Sequence, residues 1–265
     1  MKIFAYLYWL APAAITLACV AATTSAASPY AWRAGATIKN IDTLAQRIPP
    51  PPDFERVSVP SDSWAAWLRG LPLKPANAPV LLYNGAAKWR QDVHTAVIDI
   101  DVGKRDLQQC ADAIMRLRGE WMFATGRKQK IGFNYTDGKR RRFTSRRKLN
   151  YASFKKYMTL VFAYAGTYSL ERELKKVPNH DMQIGDVFIK GGFPGHAVLV
   201  ADMVANPQTG EKRFLLIQSF MPAQEMHVLK NPASPDASPW YTASLADRLV
   251  TPEWTFPEGA LHRWP

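Results

Sequence analysis

The sequence predicts an α+β domain, and three observations carry the prediction. The long segments with helical periodicity lie in the first two thirds of the chain, and most of the short apolar strands bounded by glycine and proline follow them. The 265 residues are 47% hydrophobic and 12% aromatic, enough for one sizeable core. The architecture expected is N-terminal helices packed on a small antiparallel sheet. Composition excludes collagen, coiled coil and wholesale disorder.

Taken in order, residues 1–27 read as a signal peptide. Met1-Lys2 is a short positive start, Ile3 to Val20 is almost wholly apolar, and small residues offer cleavage after Ala26 or Ala27. An uncleaved anchor is the alternative, because the run is near spanning length. Leu17-Ala18-Cys19 also resembles part of a lipoprotein signal, with Thr16 where an aliphatic residue is usual. Residues 28–265 are then expected as a single exported domain of the periplasm or cell envelope.

Ile48-Pro-Pro-Pro-Pro52 ends an extended lead. Ser63-Trp64 to Leu71 has apolar residues at i, i+3, i+4 and i+7, a short amphipathic helix capped by Asp62 or Ser61. Val80 to Tyr83 and Val93 to Asp101 read as strands around the Asn84-Gly85 turn. Asp99 and Asp101 have the spacing of a metal pair but lack further ligands, so solvent-facing carboxylates fit better. Asp106 to Trp121 is the strongest helix, with Asp106 and Gln109 as a capping pair. Tyr151 to Lys176 is a second long helix.

The net charge is +12, and it is concentrated. Twelve Lys or Arg and one acidic residue, Asp137, lie between Arg127 and Lys156, a basic insertion centred on residues 127–150. Its glycines and asparagines suit a projecting loop, and its charge suits anionic envelope polymers or a membrane surface. Export argues against nucleic acid as the partner.

Asp181 to Asp202 reads as a hairpin: strand Val187–Ile189, a Gly191-Gly-Phe-Pro-Gly195 turn, and strand Ala197–Val200. His196 leaves the turn at the strand start, a suitable place for a general base and equally for a solvated turn histidine. Phe214 to Phe220 is a third strand whose polar Gln218 and Ser219 stand out from an apolar run. Met226 to Leu229 is a fourth, and Trp240, Trp254 and Trp264 pin an irregular tail. Export would leave Cys110 as the one thiol, with no disulfide partner. About one turn into its helix, it sits where the dipole favours a thiolate, yet Leu107, Cys110, Ile114, Leu117 and Trp121 also form one apolar stripe. Nucleophile and core residue both fit.

Several runs resemble the bacterial family catalogued as domain of unknown function 4846: Val97-Ile-Asp-Ile-Asp-Val-Gly103, Asp106-Leu-Gln-Gln-Cys-Ala-Asp112, Tyr164-Ala-Gly-Thr167, Ile184-Gly-Asp-Val-Phe-Ile189, Pro194-Gly-His-Ala-Val198 and Met221-Pro-Ala-Gln224. That resemblance implies no established activity. A looser one is to papain-like peptidases and amidases of the NlpC and CHAP kinds: a cysteine at a helix start, Gly-Asp-Val and Gly-His-Ala-Val on successive strands, and a polar residue on the next. It implies an NlpC-like single domain with Cys110 as nucleophile, His196 as base and Gln218 as the residue orienting the imidazole. Gln109-Cys110-Ala111 departs from the Asp-Cys or Asn-Cys pairs usual there. The function implied is an exported thiol hydrolase cleaving amide bonds, with peptidoglycan peptides as substrate and no cofactor or metal. The alternative is a non-catalytic envelope-binding protein of the same fold.

Overall fold

The structure is a computed structural model that describes residue 1 and residues 28–33, 42–245 and 247–265. The leader expected at 1–27, with Cys19, therefore lies outside the described residues apart from Met1. Among those described, no helix is long and apolar enough to cross a membrane.

In chain order the helices are α1 (Leu44–Arg47), α2 (Trp64–Arg69), α3 (Cys110–Ala124), α4 (Tyr151–Tyr164) and α5 (Thr167–Glu173). The strands of the first half are β1 (Glu55–Arg56), β2 (His94–Val97), β3 (Gly132–Asn134), β4 (Arg140–Arg142) and β5 (Lys175–Lys176). The second half adds β6 (Val187–Lys190), β7 (His196–Ala205), β8 (Lys212–Gln218), β9 (His227–Leu229), β10 (Tyr241–Thr242), β11 (Arg248–Val250), β12 (Thr255–Pro257) and β13 (Leu261–Arg263).

The main sheet is antiparallel and larger than the small one expected. It has nine strands, in the order β2-β9-β8-β7-β6-β13-β5, with β1 on β7 and β10 on β8. Its centre is the 10-residue β7, buried along nearly its whole length. Central strands covered on both faces read as continuous apolar runs, and Ala197 to Val204 is such a run, broken only by Asp202. That carboxylate accepts from Arg56 at 2.8 Å and Arg69 at 2.5 Å, tying β1 and α2 to the sheet. Helices α2 and α3 both pack on β7.

Helix α3 starts at Cys110, later than the expected start at Asp106. Gln109 takes the N-cap position, and its N–H donates to Asp112 Oδ2 at 3.2 Å. Asp106 lies ahead of the helix, where its Oδ1 accepts both Gln109 Nε2 at 3.0 Å and the Ala223 N–H at 2.7 Å. The long helix expected over Tyr151 to Lys176 is interrupted at Ala165-Gly166, where backbone turns extended before α5 begins. The basic insertion is packed as well as exposed. Its hairpin β3–β4 turns three arginines outward, while Ile131, Phe133 and Phe143 are wholly buried. Asp99 pairs with Arg33, and Asp101 with Arg116 and Lys155, as surface carboxylates should.

Candidate active site

The register of the sheet brings the two polar strand residues together. Val198 faces Phe188 across β6–β7, while Gln218 ends β8 opposite His227 of β9. His196 and Val198 share a face of β7 through the two-residue period of a strand. The outcome is a hydrogen bond of 3.0 Å between His196 Nε2 and Gln218 Oε1.

The loop ahead of His196 is braced. Gly191 N–H donates to Glu171 Oε1 of α5 at 2.9 Å, and Thr167 Oγ1 donates to Gly192 O at 3.3 Å. At Gly195 an added Cβ would come within 2.4 Å of Thr167 Oγ1 and 2.6 Å of the Gly192 carbonyl. A side chain there would push the loop, and His196 with it, off its seat. His196 is thus a buried residue of 1% exposure, held under the rings of Phe220 and Trp254 at 4.8 and 5.4 Å, and the solvated-turn reading does not apply.

Protons in this cluster are fixed by a carboxylate that sequence reasoning missed. Gln218 Nε2 donates to Glu253 Oε2 at 2.6 Å and faces His227 Nε2 at 3.2 Å. His227 Nδ1 lies 2.9 Å from the Glu225 carbonyl, so Nδ1 carries the proton and Nε2 accepts. A carboxylate accepts only, so the amide NH₂ must face Glu253 and the amide oxygen must face His196. His196 Nε2 is therefore the protonated nitrogen, and Nδ1 keeps its lone pair. Nδ1 has no hydrogen-bond partner among the described residues. Glu253 is itself tied to Lys88 Nζ at 2.6 Å, in an ion pair almost wholly buried on both sides.

Cys110 stands as the first residue of α3, 7% exposed. The sulfur makes no hydrogen bond among the described residues, and the backbone N–H groups near it, of Ala111, Ala197 and Cys110 itself, only weakly favour its ionised form. Ala197 follows His196, so the thiol lies beside the backbone that carries the imidazole. No hydrogen bond joins Sγ to the ring among the described residues. Burial, reinforced by the Asp112 carboxyl, pushes the thiol up to about 12, and the three N–H groups only partly offset this. Burial likewise lowers His196 to about 4, against the pull of Gln218, and lowers His227 to about 3. Thiol and imidazole are both neutral at rest. Asp112 is also held toward its neutral form by burial, with Oδ1 unpartnered.

Sequence reasoning thus named His196 and Gln218, which are in contact, and Cys110, at the start of the helix that packs on β7. It missed Glu253, Lys88 and His227. Of these only His227, a polar residue inside an apolar strand, left a signal. Phe220 and Trp254 also line a groove of about 890 Å³, with Trp89 and Met221 exposed on its wall. No group of three or more metal-ligating side chains occurs among the described residues.

Fold and site together define a mixed α+β protein whose large antiparallel sheet carries a buried histidine–glutamine pair beside a helix-terminal cysteine. The chain belongs to the family described as Domain of unknown function (4846), whose model matches residues 44–149 and 144–263. No curated protein and no solved structure gives a significant match.

Proposed function

We propose that the protein is a thiol hydrolase of amide bonds, built on a papain-like, NlpC-type arrangement of Cys110, His196 and Gln218. The observation that supports this reading is the lone pair left on His196 Nδ1 by the Glu253–Gln218–His196 chain. A base needs an acceptor nitrogen, an oriented ring and a nucleophile nearby.

In this mechanism the Sγ–H proton passes to Nδ1 as sulfur bonds to the substrate carbonyl carbon. The neutral resting pair requires the two events to be concerted, because neither ion is favoured in the free protein. Backbone N–H groups at the start of α3 receive the developing oxyanion. Nδ1–H then protonates the leaving amine, the C–N bond breaks, and a thioester links the acyl group to Cys110. Water, deprotonated by Nδ1, attacks the thioester and releases the acid and the thiol. The chemistry uses no cofactor.

The apolar leader supports action in the periplasm or envelope, and peptidoglycan peptide stems are the substrate this favours. The test is digestion of purified sacculi, with released peptides read by mass spectrometry. Wild type should release peptides with new amine and carboxyl ends, and Cys110→Ala should fall by roughly 10³-fold or more. Absence of release by wild type, or equal release by Cys110→Ala, would overturn the reading. One observation favours the second reading, a non-catalytic binding protein: the deep burial of Cys110 that pushes its thiol up to about 12. Peptide retention by wild type without cleavage is the outcome that reading expects.

A further inference from the structure

Arg118 lies on α3, eight residues beyond Cys110. Its guanidinium carbon is 4.6 Å from the ring centre of Trp121 and 5.5 Å from those of Trp64 and Trp264. It makes no hydrogen bond and no ion pair among the described residues. Nε is shut off from solvent without a partner, and so are the indole nitrogens of Trp64, Trp121 and Trp264. Stacking on aromatic faces compensates part of the burial of a cation, but leaves its N–H donors unsatisfied.

A cavity of about 260 Å³ opens beside it, walled by Arg118, Arg127, Lys130, Arg140, Trp121 and Trp264. Arg127 packs on the same ring, 4.6 Å from the Trp121 centre. The one carboxylate side chain on the wall, Glu173, is already committed. It accepts from Arg140 Nη1 at 2.5 Å and from the Asn134 N–H at 2.8 Å. Pro265 lines the same cavity and forms no ion pair with Arg118. Cations and donors therefore converge there, facing the committed Glu173 and the last residue, Pro265.

We propose that this cavity is a binding site for a phosphate oxyanion. A phosphate group offers acceptor oxygens to the fork of Arg118 and a double negative charge to Arg127 and Lys130. Burial and the charge of Arg127 already push Arg118 down to about 10, a strain that an anion relieves. Three of the four cations, Arg127, Lys130 and Arg140, belong to the basic insertion, which gives that insertion a defined pocket in addition to a diffuse field. The site is independent of Cys110, and its failure would leave the hydrolase reading untouched.

The test titrates inorganic phosphate into the full chain at constant ionic strength, using tryptophan fluorescence and calorimetry. Wild type should bind saturably, Arg118→Gln about tenfold or more weakly, and Arg127→Gln a few-fold more weakly. Arg127 is only half-buried, so Arg127→Gln decides the matter if Arg118→Gln does not fold. A parallel arm sediments the protein with phosphatidylglycerol vesicles. Vesicle binding that inorganic phosphate competes away assigns a lipid headgroup as the source. Phosphate binding without vesicle binding assigns a soluble phosphate. Absence of saturable phosphate binding, or equal affinity in wild type and both variants, overturns the proposal.

Discussion

Glu253 is the side chain from which the protons of the candidate site are read. Without it, the amide of Gln218 could turn either way and His196 would have no defined tautomer. Glu253→Ala would also leave Lys88 buried and unpaired, so it should cost about 3–5 kcal/mol in urea unfolding. Adding Lys88→Met should restore much of that loss, and a Glu253→Ala variant as stable as wild type would contradict the pairing. The histidines make a second prediction, about acid. His196 and His227 sit near 4 and 3 in the fold, below the ordinary 6.5. Between about pH 6.5 and 3 the unfolded chain takes up protons that the native one refuses, His196 down to about 4 and His227 down to about 3. Their contribution to stability is full above 6.5 and lost as pH falls through this window. Asp112 and Glu120, raised by burial, act with the opposite sign, so the effect is read by difference. The stability gap between pH 7.5 and 5 should be smaller in His227→Gln than in wild type, and an equal gap would contradict the shift. His196 and Gln218 were legible in the sequence because each is a polar residue in an apolar strand. Glu253 was not, because its partner is 35 residues away and only the folding of the tail brings them together.

At the scale of elements, helix α3 and the hairpin β3–β4 show what patterning conveys and what it omits. The stripe through Ile114, Leu117 and Trp121 correctly gave a buried helix. Its start was misplaced by one turn because Asp106 could cap a helix locally, and the Ala223 N–H claims it in the fold. The hairpin was read from its charge, which masked the core residues Ile131, Phe133 and Phe143. Phe143 is fully buried and ringed by Phe123, Phe154 and Tyr157, at 6.2, 5.8 and 5.6 Å. Phe143→Ala should cost about 3–5 kcal/mol in denaturant unfolding. Replacing the exposed Arg142, Arg147 and Lys148 with Gln should change stability by no more than about 0.5 kcal/mol, because exposed charges are solvated in both states. Equal effects of the two variants would mean that the hairpin is a loose appendage. The tail teaches the same lesson. Leu261–Arg263 looked irregular among prolines, yet β13 lies inside the main sheet between β6 and β5, where non-local pairing outweighs local composition.

For the whole molecule, the order of elements was legible and the size of the sheet was not. Helices before strands gave the α+β class. Two-residue strands such as β1, β5 and β10 have no periodicity to read, and they are part of what widens the expected small sheet to nine strands. That sheet fixes Gln218 against His196 and seats α3 so that Cys110 meets the start of β7. The central claim is that these parts act as one unit, with His196 serving as base to the Cys110 thiol. It is tested most directly by alkylation of the folded protein with iodoacetamide at pH 7, followed by intact mass, in wild type and His196→Ala. A thiol raised to about 12 labels slowly in both, so the ratio of rates is the readout. The cavity left by the missing ring can only ease access of the reagent. The account predicts that His196→Ala labels more slowly than wild type by about tenfold or more, a general-base effect. Equal or faster labelling of His196→Ala would contradict it and make Cys110 a core residue.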